Sequence, residues 1–186
     1  AKTLQQQLTK NSSAIADMKN KPYRMRILLR VAETLAYAHE NAVTVGRLDF
    51  DSIIVGKHGE VLIVDWSQGK WLNDSDDSDV LPSEWIREDL RVLAAFGLKL
   101  MFYRDPPKQL DLSHWVEWTG NLSGDLQMIL DRAFLERPEP YKSVDDFAHD
   151  LTRHLAGYPL ALQKGDALVM LQGLFRRNIK SLSLFM

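Results

Sequence analysis

The chain contains no cysteine. That excludes disulfides, Cys-ligated zinc and a thiol nucleophile, and it fits a cytosolic setting. It also has no run of about 18 apolar residues to span a bilayer, and no signal-peptide pattern opens it. Positive charge is not in excess: 23 Lys and Arg stand against 25 Asp and Glu, for a formal net charge of -2. Nucleic acid is therefore not an expected partner, since a phosphate backbone is met by clustered Lys and Arg. Internal repeats are missing too. What is present is 186 residues, 45% hydrophobic and 26% charged, the composition of one globular domain long enough to bury a sizeable core. The first residue is Ala1 rather than Met, so a longer parent protein is expected.

The apolar positions Ile27, Leu28, Val31, Leu35 and Ala38 recur at helical spacing and predict an amphipathic helix over 23–40, entered at Lys21-Pro22. Ahead of it, TLQQQL is a short helical candidate followed by a polar stretch. Arg24, Arg26 and Arg30 are expected on a solvated face. Two β-branched runs, SIIV and VLIV, flank Gly56-Lys57-His58-Gly59 and predict a hairpin over 52–64. The run Asp74 to Asp79 is too polar to pack, so 73–82 reads as an acidic loop. Residues 87–103 are apolar on nearly every side, the pattern of a buried central helix, and Asp105-Pro106-Pro107 stops it. The last helices fall within 122–156, interrupted at ERPEP; the final one opens on a capping-box-like Ser143 and Asp146 and ends at Gly157. Trp115 and Trp118 are expected to pack between helices rather than form a binding surface. Residues 158–186 make a separate amphipathic segment in which Leu168, Leu171, Leu174 and Phe175 precede Arg176, Arg177 and Lys180.

Taken in order, a helix ending in AYAHENAV, the loop VTVGRLDFDSIIV, a hairpin ending at Asp65 and the helix REDLRVLAAFGLKL resemble the C-terminal lobe of a protein kinase. Bacterial Ser/Thr kinases look most similar, and DLQMILDRAFLERPEPYKSVDDFAHDLTRHLAGYPL resembles their last two helices. The specificity lies in the ordered series of blocks rather than in any one of them. The implied fold is mainly α with a short β-hairpin, a kinase-like C-lobe over 1–157 that lacks the N-terminal β lobe.

In an active kinase the loop H-R-D-x-K-x-x-N supplies a base, a phosphate-contacting lysine and a magnesium ligand, and D-F-G supplies a second. The resemblance places the triplet at Val45, Gly46 and Arg47, so a permanent cation stands where the base belongs. Asp49 falls at the lysine, an inversion of charge, and Ser52 at the asparagine. Asp65 matches the D-F-G aspartate, but Trp66 and Ser67 replace its neighbours, and a lone carboxylate is a weak magnesium site. Its other reading is a hairpin-end residue bonding nearby amides. No G-x-G-x-x-G and no V-A-I-K-like strand precede the long helix, so ATP is not expected to bind and no cofactor is expected. Gly46, Gly56 and Gly59 read as turn glycines. Glu84 is the one candidate for the A-P-E glutamate, and RPEPYKS has no arginine directly before Tyr141, where the resemblance places the residue that would pair with it.

His39 and Asp89 look like the retained structural pair, with Asp89 expected to accept from backbone amides at Val45 to Arg47 or from His39. The implied function is that of a catalytically inactive pseudokinase, a protein-interaction or regulatory module in bacterial signalling. It would lie in the cytoplasm, with membrane anchoring of the parent through residues after 158. Two alternatives stand beside it: an atypical Ser/Thr kinase whose ATP-binding lobe lies elsewhere, and a structural spacer.

Overall fold

The computed structural model describes residues 2–10, 12–72, 82–103, 110–137 and 139–160. The acidic run, the Pro106-Pro107 stop and the segment 161–186 lie outside them. Among the described residues the chain is mainly helical with a single two-stranded antiparallel sheet. Two short helices, α1 (Leu4–Lys10) and α2 (Ser12–Lys19), precede the long α3 (Lys21–Glu40). A 3-10 turn (Phe50–Ser52) leads into β1 (Ile53–Val55) and β2 (Val61–Ile63), followed by α4 (Pro82–Phe102), α5 (Leu112–Thr119), α6 (Gly124–Phe134) and α7 (Val144–Leu155).

α3 begins where its sequence says it should. The Asn20 side chain accepts from the Tyr23 amide, capping a first turn that contains Pro22, whose missing N–H costs nothing there. Its inner face, Met25, Ile27, Leu28, Val31, Ala32, Leu35 and Ala38, is buried against α4 and α7. Each fully buried Leu, Ile or Val there contributes about 1.5–3 kcal/mol through removal of apolar surface from water. α4 carries Leu90, Leu93, Ala94, Phe96, Leu98, Leu100 and Met101 into the core and packs on both α3 and α6. It therefore occupies the central position expected of it.

β1 and β2 pair in the register Ile53 with Ile63, Ile54 with Leu62 and Val55 with Val61. Ile53, Val55 and Ile63 face inward and are buried, while Leu62 on the other face is exposed. α1 covers the start of this hairpin: Leu4 and Leu8 are buried, and the Gln7 side-chain amide donates to Val55 O at 2.8 Å.

Several boundaries differ from the sequence reading. The polar stretch before Lys21 contains α2, which docks through buried Met18; tertiary burial offsets its modest amphipathicity. α4 starts at Pro82 rather than Arg87, and proline suits a first helical position. Ser52 belongs to the 3-10 turn, and Val64 lies beyond β2, although its amide still donates to Ser52 O. α6 spans only Gly124–Phe134, and α5 is an additional helix. Arg26 and Arg30 are exposed, but Arg24 is half-buried and its Nε has no hydrogen-bond partner, so burial lowers its pKa.

At α7 the local signals and the structure agree. Ser143 and Asp146 form a reciprocal capping box, and Gly157 follows the helix with a φ of 76°. The amide of Gly157 donates to His154 O and that of Tyr158 to Arg153 O, the paired bonds of a Schellman closure.

Candidate functional site

The site is the segment from Val43 to Ser52 and what holds it. His39 lies in the last turn of α3, which ends at Glu40, and the chain turns through Ala42 at a φ of 60°. The next residues run against the segment after the hairpin: Val43 bridges to Trp71, Thr44 N donates to Lys70 O at 2.9 Å, and Leu72 N donates to Ala42 O at 2.7 Å. Two glycines permit this crossing. A Cβ on Gly46 would lie 2.2 Å from Gln68 O, and one on Gly69 would lie 2.3 Å from Thr44 O. Gly46 also has a φ of 68°, so its role is close backbone approach as well as turning, more than the sequence reading gave it.

Gly46→Ala combines left-handed strain with overpacking against backbone, and an expected loss of about 2–5 kcal/mol follows from adding the two effects. Urea unfolding checks it; a midpoint equal to the wild type's would show that the crossing can relax.

Asp89, on the first half of α4, is 1% exposed. Its carboxylate accepts from Val45 N at 2.8 Å and Gly46 N at 2.9 Å, and Oδ2 lies 2.8 Å from His39 Nε2. Both kinds of contact considered for it are thus present together. α3, α4 and the loop are locked to one another through this carboxylate.

The four positions that the resemblance assigns to chemistry are arranged differently. The Arg47 side chain is 68% exposed and its guanidinium lies 3.5 Å from Asp49 Oδ2. Asp49 is also paired with Lys99, which reaches it from α4 and lies over the Phe50 ring at 4.6 Å. Burial alone would raise the Asp49 pKa, but the hydrogen bonds from Lys99 and the Phe50 amide, with the charges of Lys99 and Arg47, hold it below the usual value. Ser52 is buried, and its hydroxyl donates to Asp49 O while accepting from Asp49 N. Asp65 is exposed; Oδ1 accepts from Ser67 N at 3.0 Å. Hydrogen bonds from the Ser67 side chain and amide lower its pKa, with a smaller contribution from Arg47.

These side chains are committed to one another and to their own turns. Asp49 is neutralised by two cations, and Ser52 Oγ is committed in both directions to the backbone of its own turn. Asp65 bonds its own turn, and Trp66 beside it donates from Nε1 to Ile63 O. The segment after the hairpin is further tied to α4 by Lys70, whose ammonium sits 3.7 Å from the centroid of the Trp85 ring.

Sequence reasoning missed Lys99, although a lone lysine inside LAAFGLKLMF was a cue to a buried partner. It also missed a buried group between α6 and α7: Arg132 pairs with Asp150 at 2.7 Å, Tyr141 OH donates to the same oxygen at 2.9 Å, and Arg132 Nε donates to Glu139 O. The expected loss of a glutamate and arginine tie has a counterpart here. Glu84 is exposed in the first turn of α4, while Arg87 and Arg91 both pair with Glu136 after α6.

Comparison with known proteins gives one partial similarity. A 59-residue stretch, 32% of the chain, is 39% identical to the serine/threonine-protein kinase PknD of Protochlamydia amoebophila (strain UWE25) and covers 6% of that protein's length. The chain is kinase-like in sequence over that stretch, and it spans a small fraction of the relative. No protein-family profile matches it. Among the described residues no helix is long and apolar enough to cross a membrane.

Proposed function

We propose that this domain is a kinase-like C-lobe that has lost phosphoryl transfer and acts as a protein-interaction or regulatory module, in the cytoplasmic part of a bacterial signalling protein. The observation that carries the reading is the contrast between frame and contents at Val45–Ser52. Asp89 holds the loop by two backbone amides and by His39, while Arg47 stands where a base is needed and Asp49 is tied to Lys99. An arginine at that position cannot take the proton of a substrate hydroxyl. The charge inversion at Asp49 is matched by a cation from α4, so the loop is stable as it stands rather than waiting for a nucleotide. The partial similarity to a Ser/Thr kinase supports the kinase-like part of this reading. The partner would be another protein, recognised through side chains on or near this loop.

Thermal unfolding with ATP and magnesium tests it, on this chain and on a version extended at its N-terminus. A bound nucleotide at a hundredfold excess over its dissociation constant would add about 2.7 kcal/mol. The expected result is no shift in either protein. A shift together with phosphate transfer abolished by Asp65→Asn would establish the rival, an atypical kinase completed by a lobe from outside this chain.

A further inference from the structure

The outer edge of β1 is covered by a helix that is attached along one face. Gly56 N donates to Glu60 O and Val64 N to Ser52 O, on either side of the Ile54 and Leu62 pair, so the residues hydrogen-bonded across the hairpin are Ser52, Ile54 and Gly56. Ile53 and Val55 alternate with them and turn their N–H and C=O groups away from β2. A strand edge left in this way is a template for another strand unless something covers it. Here α1 does: it packs on β1, on the 3-10 turn and on α2. The Gln7 side-chain amide donates to Val55 O at 2.8 Å, where a neighbouring strand would have placed a backbone N–H.

Leu4, Gln7 and Leu8 share the inner face of α1, both leucines being buried, whereas Gln5, Gln6 and Thr9 are exposed. The bonds at its ends are local. Thr3 and Gln6 form a reciprocal capping box, which lets the helix start without outside help, and Thr9 Oγ1 donates to Gln5 O and Gln6 O. A helix of seven residues gains too little from its own hydrogen bonds to be stable alone, so docking decides whether it forms. What lies beneath it is held from other directions. Phe50 packs edge-on against Phe96 at 5.9 Å and stacks on Tyr103 at 6.5 Å, and Lys99 reaches Asp49 from α4. α3 starts on its own cap, Asn20, and α2 packs on α3 with Met18 buried.

We propose that α1 is a releasable strap: it undocks and unfolds as a unit while the 3-10 turn, the hairpin and the helical core stay folded, and its release uncovers the outer edge of β1. The opening breaks the Gln7 bond to Val55 and the contacts of Leu4 and Leu8. It leaves in place the hold of Asp89 on Val45 and Gly46 and that of Lys99 on Asp49, so the cost stays local. The release requires nothing of the loop's own chemistry.

The test is native-state hydrogen exchange of the intact chain, read by NMR at rising, sub-denaturing urea concentrations. The expected result is that the amides of Leu8, Ile53 and Val55 exchange together, protected at least about tenfold less than those of Leu28 and Leu93 in the core, and with little dependence on urea, the mark of a local opening. In Leu4→Ala with Leu8→Ala the protection of Ile53 and Val55 should fall by a further factor of about ten or more, while the Val45 and Gly46 amides, which Asp89 holds, keep theirs. Equal protection at Leu8, Val55 and the core in the wild type overturns the proposal. So does a double variant that fails to fold, or one in which the Val45, Gly46 and core amides lose protection by the same factor, because α1 would then be an integral part of the fold.

Discussion

Asp89→Ala is expected to destabilise the domain by roughly 2–6 kcal/mol, at about 1–3 kcal/mol for each of two buried polar groups left without their acceptor. The Val45 and Gly46 amides point at this carboxylate, and the Val45 amide is buried, with no water to turn to while the loop stays packed. His39 loses its partner as well. Asp89→Asn should recover part of the loss, because one carbonyl oxygen can still accept from an amide, while its NH2 opposes the other donor. Urea unfolding gives the number, and an unchanged m-value would place the loss in the native contacts. A deficit below about 1 kcal/mol for the alanine variant would mean that the loop holds its shape without α4.

The second large effect lies between α6 and α7. Asp150→Ala leaves the Arg132 guanidinium buried with its counter-charge gone and Tyr141 OH without its acceptor. Breaking a buried pair from one side costs about 3–5 kcal/mol, whereas replacing both members with apolar residues can be nearly neutral. Asp150→Leu combined with Arg132→Met should therefore lose much less than the two single variants added together. Burial and the neighbouring Asp150 charge already push the Tyr141 hydroxyl far above its ordinary value, against the opposing effect of Arg132, so the phenol remains a donor throughout the accessible range. A double-mutant cycle measures the coupling, and simple additivity would show that the three side chains do not act as a unit.

The two regions differ in how far their sequences announced them. α3, the hairpin, the central helix and the cap of α7 were legible because each rests on a local rule: 3.6-residue periodicity, β-branched runs around glycines, an all-round apolar stretch, or Ser143 set three residues before Asp146. α2 and α5 were not, since short helices acquire stability from docking, through Met18 in one case and through Trp115 and Trp118 in the other. At the loop, the positions of Arg47, Asp49, Ser52 and Asp65 could be read from their order in the chain. Their partners could not. The pair of Lys99 with Asp49 and that of Asp150 with Arg132 connect residues far apart in sequence, and no local pattern encodes which charge meets which. Position within the helix was the available signal: Asp150 follows Phe147 by three residues and precedes Leu151 by one, which places a carboxylate on the buried face of α7.

The backbone crossing at Thr44 and Lys70 also limits how the domain can open. Thr44 N donates to Lys70 O, Lys70 N donates to Thr44 Oγ1, and Leu72 N donates to Ala42 O. With Gly46 set against Gln68 and Gly69 against Thr44, neither segment can lift away without releasing the other. Their amides belong to one cooperative unit, whose hydrogen exchange should occur at a shared free energy of opening rather than as a gradient from a frayed end. A partner that pulled on the segment after the hairpin would in the same motion loosen the loop at Arg47.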